Sequence, residues 1–124
     1  MKKISLKAAH SDSRGVITDL LQSENVNAIT AISFAKGAVR ANHFHKKTYQ
    51  WNYVVSGKIK IAAKFPNKPK KIITMKKGDL ILTVPNESHA LQAIVPSELL
   101  VFTKGPRGGK DYESDTFRLT EPLI

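Results

Sequence analysis

Four histidines carry the main chemical interest of this 124-residue sequence, and two of them stand two positions apart. In a β-strand, side chains at i and i+2 point to the same face, so the imidazoles of His43 and His45 would face one space. Gln50 follows closely and can offer a carbonyl oxygen to a metal or a hydrogen bond to a substrate. His89 begins a later apolar segment, just after a tight turn. Such groups can hold a divalent cation or move a proton near neutral pH.

Strands rather than helices must position these residues. No segment of helical length carries an apolar stripe at i, i+3, i+4 and i+7, whereas short alternating segments are frequent. Residues 58–65 alternate strictly, which predicts one buried and one wet face. The predicted buried face carries Ile59, Ile61, Ala63 and Phe65, and the wet face carries Lys58, Lys60 and Lys64. Further strands are predicted over 15–21, 27–35, 50–56, 70–75, 79–84, 89–94, 98–103 and 116–119. Turns rich in Gly, Pro, Asn and Ser separate them, which favours an antiparallel sandwich or barrel.

Charge and composition narrow the classes of partner. The formal charge is +10, and no acidic residue lies between Glu24 and Asp79, where twelve lysines and arginines stand. This imbalance indicates either an anionic partner or a solubility surface, and RNA, membrane phosphate or a nucleotide-linked small molecule would each qualify. The absence of cysteine excludes disulfides. No apolar run reaches the ~20 residues of a membrane span. The amino-terminal segment does not read as a signal peptide, so we expect a cytoplasmic protein.

The spacing of the histidines matches a known pattern. The segment from Gly37 to Gly57 reads G-x5-H-x-H-x4-Q-x6-G, and the segment from Gly78 to His89 reads G-D-x5-P-x3-H. These resemble the two motifs of the cupin superfamily, G-x5-H-x-H-x3,4-E-x6-G and G-x5-P-x-G-x2-H-x3-N. The first motif fits throughout except that Gln50 replaces the usual Glu, and the second lacks its inner Gly and final Asn. The resemblance implies an all-β fold, a double-stranded β-helix or jelly-roll barrel, as one cupin domain over residues 1–124.

The same resemblance implies a site in which His43, His45, Gln50 and His89 converge. In metal-binding cupins these four positions hold a transition metal. The change from Glu to Gln removes the only negative ligand, while imidazoles still suit such metals. Two alternatives therefore stay open: no cofactor, or one divalent metal such as Zn, Ni, Fe or Mn.

Three further segments narrow the resemblance to one group within the cupin superfamily. Residues 12–15 read D-S-R-G, and residues 39–47 read V-R-A-N-H-F-H-K-K. They are similar to segments of the sugar-nucleotide cupins, the dTDP-4-dehydrorhamnose 3,5-epimerases and the dTDP-4-keto-6-deoxyhexose 3,4-ketoisomerases. Residues 105–116 resemble the end of the cupin domain of capsule-polysaccharide epimerases. This implies an isomerase, either epimerase or ketoisomerase, acting on a nucleotide-activated 4-keto-6-deoxy sugar in surface polysaccharide biosynthesis by His-mediated proton transfer.

The resemblance also implies roles for single residues. The histidine matching His43 removes the proton next to the C4 ketone, and His45 is assigned to the same catalytic group. The enolate oxygen then needs a donor, for which His89, Asn52, Lys47 or a metal are the alternatives.

A tyrosine returns the proton in the epimerases. Tyr112 is preferred over Tyr49 and Tyr53 because its segment matches the family, although it could equally anchor its loop. Arg14 and Arg40 match family positions and suit a diphosphate, and Gln50 could also contact the sugar.

Other functions remain as alternatives. The main one is a metal-binding cupin that acts on or senses another small molecule. RNA binding rests on the charge alone, because interleaved aromatics and a known RNA-binding motif are missing. We therefore expect a nucleotide-diphosphate sugar as ligand, with no nucleic acid and no membrane partner. The resemblance further implies a homodimer, with residues 3–7 as the expected pairing segment.

Overall fold

The computed structural model describes the whole chain, Met1–Ile124. Strands contain 53% of the residues, and the only helical element is one short 3-10 turn. The strands are β1 (Lys2–Ile4), β2 (Ala8–Asp12), β3 (Gly15–Thr18), β4 (Ala28–Phe34), β5 (Val39–Phe44), β6 (Tyr49–Ser56), β7 (Lys58–Lys64), β8 (Lys71–Lys76), β9 (Leu80–Thr83), β10 (Ser88–Ala93), β11 (Ser97–Lys104) and β12 (Phe117–Arg118), and the 3-10 turn is Gly109–Asp111. The predicted all-β fold is confirmed.

Two five-stranded antiparallel sheets form the body of the molecule. The first sheet has the order β1-β9-β6-β11-β4, and the second has the order β12-β5-β10-β7-β8. Their inner faces enclose an apolar core between them. Its members are Phe34, Val54, Ile59, Ile61, Met75, Ile81, Leu91, Ala93, Leu99 and Val101.

The alternation over residues 58–65 is confirmed only in part. Ile59, Ile61 and Ala63 are buried as predicted, but Phe65 lies beyond the end of β7 and is 38% exposed. Ala62, on the outer face, is also fully buried. Lys60 and Lys64 are half-buried rather than fully wet, because β7 lies between β10 and β8 and neighbouring side chains cover their stems.

The amino-terminal strand lies at the edge of the first sheet, and the expected pairing of residues 3–7 with a second copy stays a prediction. β1 pairs with β9 of the same chain, placing Ile4 opposite Leu80. β2 and β3 form a separate two-stranded hairpin whose residues are all exposed. No helix of the structure is long and apolar enough to span a membrane.

Strand β5 carries the histidine pair and contains an irregularity. Ala41 and Asn42 adopt positive φ angles of 71° and 57°. The pairing between β5 and β10 shifts at the same point, and His43 then lies opposite His89. This bulge turns β5 toward the barrel interior where the histidines stand.

Candidate functional site

Three imidazoles meet inside one end of the barrel. The ring centroid of His43 lies 4.7 Å from the centroid of His45 and 4.7 Å from that of His89. The His45 and His89 centroids are 5.4 Å apart. Gln50, on the neighbouring β6, joins the group through its side-chain amide, which lies 3.2 Å from Nε2 of His45. The predicted convergence of these four residues is therefore present.

Two of the histidines are oriented by main-chain carbonyls. Nδ1 of His45 donates to the carbonyl of Asp115 at 2.8 Å, and Nδ1 of His89 donates to the carbonyl of Glu87 at 3.0 Å. A carbonyl only accepts, so each ring donates from Nδ1, and the uncharged form of such a ring keeps a lone pair on Nε2. Nε2 of His45 lies 3.2 Å from Oε1 of Gln50, and turning the Gln50 amide over would bring its NH₂ group to this position as a donor to that lone pair.

His43 has the opposite arrangement. Nη1 of Arg118 lies 3.4 Å from Nδ1 of His43. A guanidinium can only donate, so Nδ1 of His43 accepts, and the neutral ring carries its proton on Nε2. Arg118 is held in place by a 2.5 Å bond to Glu113 and by the carbonyl of Ala41.

The surroundings keep two of the rings uncharged at neutral pH. Burial is the main cause that lowers the pKa of His43 to about 3. Neighbouring positive groups lower it further, namely His89, His45, Arg118 and Arg107. Burial likewise lowers the pKa of His89 to about 3, with contributions from His45 and the amino-terminal ammonium. These rings are neutral as general-base chemistry requires, but their low pKa values make them weak bases without an anionic ligand.

The histidines open into a cavity of about 240 Å³. Among the expected site residues, it is lined by His43, His89, Gln50, Asn52, Arg40 and Tyr112. The cavity also contains Arg107, Glu113 and Arg118. Arginines next to a group of imidazoles suit a ligand that combines a phosphate with a reacting carbonyl.

The segment from Gly105 to Thr116 closes one side of this cavity. Gly105 has φ 142°, and a Cβ there would lie 2.6 Å from Oγ1 of Thr48, so glycine is required for this close approach. At the other end, the carboxylate of buried Asp115 accepts from Lys46 N, Lys47 N and Thr48 Oγ1. Between these anchors, Tyr112 is 61% exposed and its ring lies 5.2 Å from the Arg107 guanidinium. Tyr112 thus stands at the mouth, where a proton donor to bound substrate would be placed.

Three expected site residues do not line the cavity. Arg14 lies at the tip of the β2–β3 hairpin, where its guanidinium bonds to Asp12. Lys47 is exposed and contributes only its main-chain N–H to Asp115. His45 is buried behind the cavity and orients Gln50. Strand direction and turn geometry, which the motifs do not specify, decide which of these side chains reach the cavity.

Sequence reasoning missed Arg118, Arg107 and Asp115. Arg118 and Asp115 contact residues 75 and 70 positions away, so local spacing could not reveal them. The only available signal was the family likeness of residues 105–116, which contains Arg107 and Asp115.

The three histidines offer ligand atoms within 4.8 Å of one another, but the donor set fits the transition metal that the resemblance allows only in part. A histidine that binds a metal through Nε2 usually donates its Nδ1–H to an acceptor. His45 and His89 meet this condition, whereas Arg118 presents a cationic donor to Nδ1 of His43. Gln50 offers no charge, and its amide is engaged by His45. Only two of the four positions are oriented as ligands.

Comparisons with known proteins agree with this architecture. The family model for the polysaccharide biosynthesis C-terminal domain matches residues 10–117. The chain belongs to this family. No curated protein matches it by sequence.

Solved structures of sugar-modifying proteins resemble this member of the polysaccharide biosynthesis C-terminal domain family. A double mutant of the 3,4-ketoisomerase QdtA from Thermoanaerobacterium thermosaccharolyticum, in complex with TDP, is 24% identical, with a TM-score of 0.77. The match covers 95% of this chain and 86% of QdtA. The dTDP-4-dehydrorhamnose 3,5-epimerase from Sulfolobus tokodaii is 19% identical with a TM-score of 0.70, over 83% of this chain and 69% of the epimerase.

A larger capsule protein shares the same fold. The capsular polysaccharide assembling protein CapF from Staphylococcus aureus is 17% identical with a TM-score of 0.65. The match covers 94% of this chain but only 33% of CapF. These likenesses confirm the jelly-roll fold that the resemblance implies.

Proposed function

We propose that this protein is an isomerase, an epimerase or 3,4-ketoisomerase, that acts on a nucleotide-activated 4-keto-6-deoxy sugar in polysaccharide biosynthesis. The observation that carries this proposal is the shared cavity in which two neutral imidazoles, His43 and His89, stand beside Arg40, Arg107 and Arg118. Family membership and the folds of the ketoisomerase and epimerase structures support the same conclusion. A cytoplasmic location is part of the proposal.

The first step common to both reactions breaks the C3–H bond and leaves an enolate on the C4 oxygen. One group must accept the proton, and another must donate a hydrogen bond to the oxygen. The free lone pair on Nε2 of His89 suits the acceptor, and the Nε2–H of His43 suits the donor. This division differs from the resemblance, which implies His43 as the base.

Substrate charge would make these weak bases stronger. Part of the lowering of the His43 pKa comes from Arg118 and Arg107. A diphosphate held by the arginines offsets this repulsion and raises the proton affinity of the rings. Tyr112 would then return a proton to the sugar. In an epimerase this proton goes to C3 from the opposite face, and in a ketoisomerase it goes to C4 after the O3 proton has moved to O4, so that the ketone re-forms at C3. No metal-dependent step is included in this mechanism.

Deuterium exchange tests the proposal directly. In D₂O, the wild-type protein should incorporate deuterium at C3 of dTDP- or UDP-4-keto-6-deoxyglucose, and product analysis by NMR distinguishes epimerase from ketoisomerase. His89→Asn should abolish exchange. His43→Asn should slow it less than His43→Leu, because the Asn amide still donates. If the His43 variants abolish exchange and His89→Asn only slows it, His43 is the base. Absence of exchange with every such substrate would contradict the proposed function.

We also propose that the protein is a homodimer that pairs through the outer face of the first sheet. Ile29 is 64% exposed on β4, and Val55 is 36% exposed on β6. The β2–β3 hairpin also exposes Val16 and Ile17 by 63% and 60%. Large exposed apolar groups of this kind mark contact surfaces. Val55→Lys should then give a monomer by light scattering, whereas an unchanged mass would rule out this face.

A further inference from the structure

A cluster of lysines covers part of the outer face of the second sheet. Lys58, Lys60 and Lys64 alternate along β7, and Lys76 of β8 lies directly opposite Lys58. We call these four residues the lysine face. Ile72, which shares this surface, is 53% exposed.

The charges of the lysine face are not balanced within the chain. No strand of the second sheet contains Asp or Glu. None of the four lysines lies in an ion pair, whereas Lys3 and Lys104 of the first sheet pair with Asp79 and Glu24. Asp79 also approaches β8, but its carboxylate accepts from the Lys76 main-chain N–H.

This arrangement is costly for a surface that only faces water. Like charges directly opposite each other on adjacent strands are destabilising, as for Lys58 and Lys76. Solubility requires charges of both signs, interspersed, and not one sign gathered on one face. The positive field of the lysine face therefore favours an extended anionic partner.

The residue types identify the chemistry of that partner. Strands β7 and β8 contain no arginine and no aromatic residue. Protein interfaces are depleted in lysine, and single-stranded nucleic acids bind through aromatic stacking together with basic residues. Lysine ammonium groups act as point charges that need no fixed geometry, which suits the headgroups of a fluid anionic bilayer.

We propose that the lysine face binds reversibly to the surface of anionic phospholipid membranes. From the sequence alone we expect no membrane partner. The sequence does not show that these lysines gather on the second sheet, while the acidic residues lie elsewhere. The exposed side chain of Ile72 can add apolar contact at the headgroup boundary. The attraction is electrostatic and is therefore sensitive to salt.

Vesicle sedimentation with charge-matched variants tests this proposal. The face variant carries Lys58→Gln, Lys60→Gln and Lys76→Gln, and the control carries Lys2→Gln, Lys7→Gln and Lys104→Gln on the first sheet and its amino-terminal extension. Both variants lose three positive charges, and circular dichroism and thermal unfolding confirm that each is folded. The vesicles are pure phosphatidylcholine or contain 40% phosphatidylglycerol as a chosen test composition, at about 0.1 M and about 0.5 M NaCl.

We expect wild-type protein to bind only the phosphatidylglycerol vesicles and to dissociate at the higher salt concentration. Each lysine near an anionic surface contributes about fivefold, so the face variant should bind about a hundredfold more weakly. The control variant should lose much less of its affinity for the phosphatidylglycerol vesicles. Equal losses in both variants would show that net charge alone is responsible and would overturn the proposal. So would absence of binding at low salt, or tighter binding to an RNA oligonucleotide or an acidic polypeptide that competes with the vesicles.

Discussion

Arg118 lies with Nη1 3.4 Å from Nδ1 of His43 and fixes the ring with its proton on Nε2. This contact distinguishes His43 from His45 and His89, whose Nδ1 atoms donate to main-chain carbonyls. The ligand atoms of the three histidines lie within 4.8 Å of one another and could hold a metal ion, but this contact opposes the use of His43 as a ligand. The cationic guanidinium stands where a metal-bound histidine needs an acceptor.

Replacing Arg118 should therefore change both the tautomer and the metal affinity. In Arg118→Gln, the 15N chemical shifts of His43 should move toward the Nδ1–H form, and zinc affinity should rise at least tenfold because a positive charge is removed. Titration calorimetry with zinc alone measures the affinity. Arg107→Gln is the matched control, because Arg107 lines the cavity but contacts Tyr112. An unchanged nitrogen pattern in Arg118→Gln would show that the contact does not set the tautomer.

The buried histidines predict an acid-sensitive fold. The pKa values of His43 and His89 are lowered to about 3, whereas unfolded histidine has a pKa near 6.5. The unfolded chain therefore binds more protons between these values, and the free energy of unfolding falls as the pH drops from about 6.5 toward 3. The upper limit of the slope is about 1.4 kcal/mol per pH unit for each ring, less for His43, which is only partly buried.

Urea unfolding at pH 7, 6 and 5 measures this slope. His89→Asn should reduce it, since one titrating group is removed. His10→Asn is the control, because His10 lies on the exposed hairpin. If stability is the same at pH 7 and pH 5, the histidines are not held neutral in the folded protein.

The histidine cluster was predictable because its cause is local. The shared direction of His43 and His45 can be predicted from the period of a strand alone. The place of His89 can be predicted from its match to the second cupin motif. Most strands were predicted because their apolar residues alternate or run between turn residues. The alternation of side chains does not predict β5 as a strand, because the bulge at Ala41 and Asn42 interrupts it.

The rest of the site depends on contacts between distant parts of the chain. Arg118 and Asp115 reach the histidines only because the carboxy-terminal segment returns to pair with β5. Arg14 shows the converse. Its motif resembles that of the sugar-nucleotide cupins, but the hairpin that carries it forms a separate two-stranded sheet and leaves its side chain 84% exposed.

Asp115 should be a structural centre of the closing segment. Burial favours its neutral form, but hydrogen bonds from Thr48, Lys47 and Lys46 outweigh burial and lower its pKa. Asp115→Asn replaces an acceptor of three hydrogen bonds by a neutral amide, so stability should fall by about 1–3 kcal/mol. Deuterium exchange at C3 should also slow, because the carboxylate anchors the segment that carries Tyr112 and whose main-chain carbonyl orients His45.

Chemical denaturation at pH 7 tests this, with Asp111→Asn in the exposed 3-10 turn as the control. The stabilisation by Asp115 is fully present above the unfolded pKa near 4 and is lost as the pH falls through its lower folded pKa. The difference between wild type and Asp115→Asn should therefore shrink below about pH 4. A constant difference down to pH 2 would mean that the carboxylate charge is not what the hydrogen bonds stabilise.

Gln50 decides between a metal-dependent and a metal-free site. Its amide contacts Nε2 of His45 and lines the cavity. Gln50→Glu restores the charge usual in metal-binding cupins, so zinc or nickel occupancy should rise. In a metal-free isomerase the same carboxylate repels the developing enolate and the diphosphate, and turnover should drop about a hundredfold. We expect both effects, measured by metal analysis of the purified variant and by deuterium exchange at C3.

Gln50→Asn, which shortens the amide without adding charge, is the control and should leave metal occupancy at the wild-type level. If Gln50→Glu changes neither occupancy nor exchange, Gln50 faces neither ligand nor substrate, and its place in the site must be abandoned.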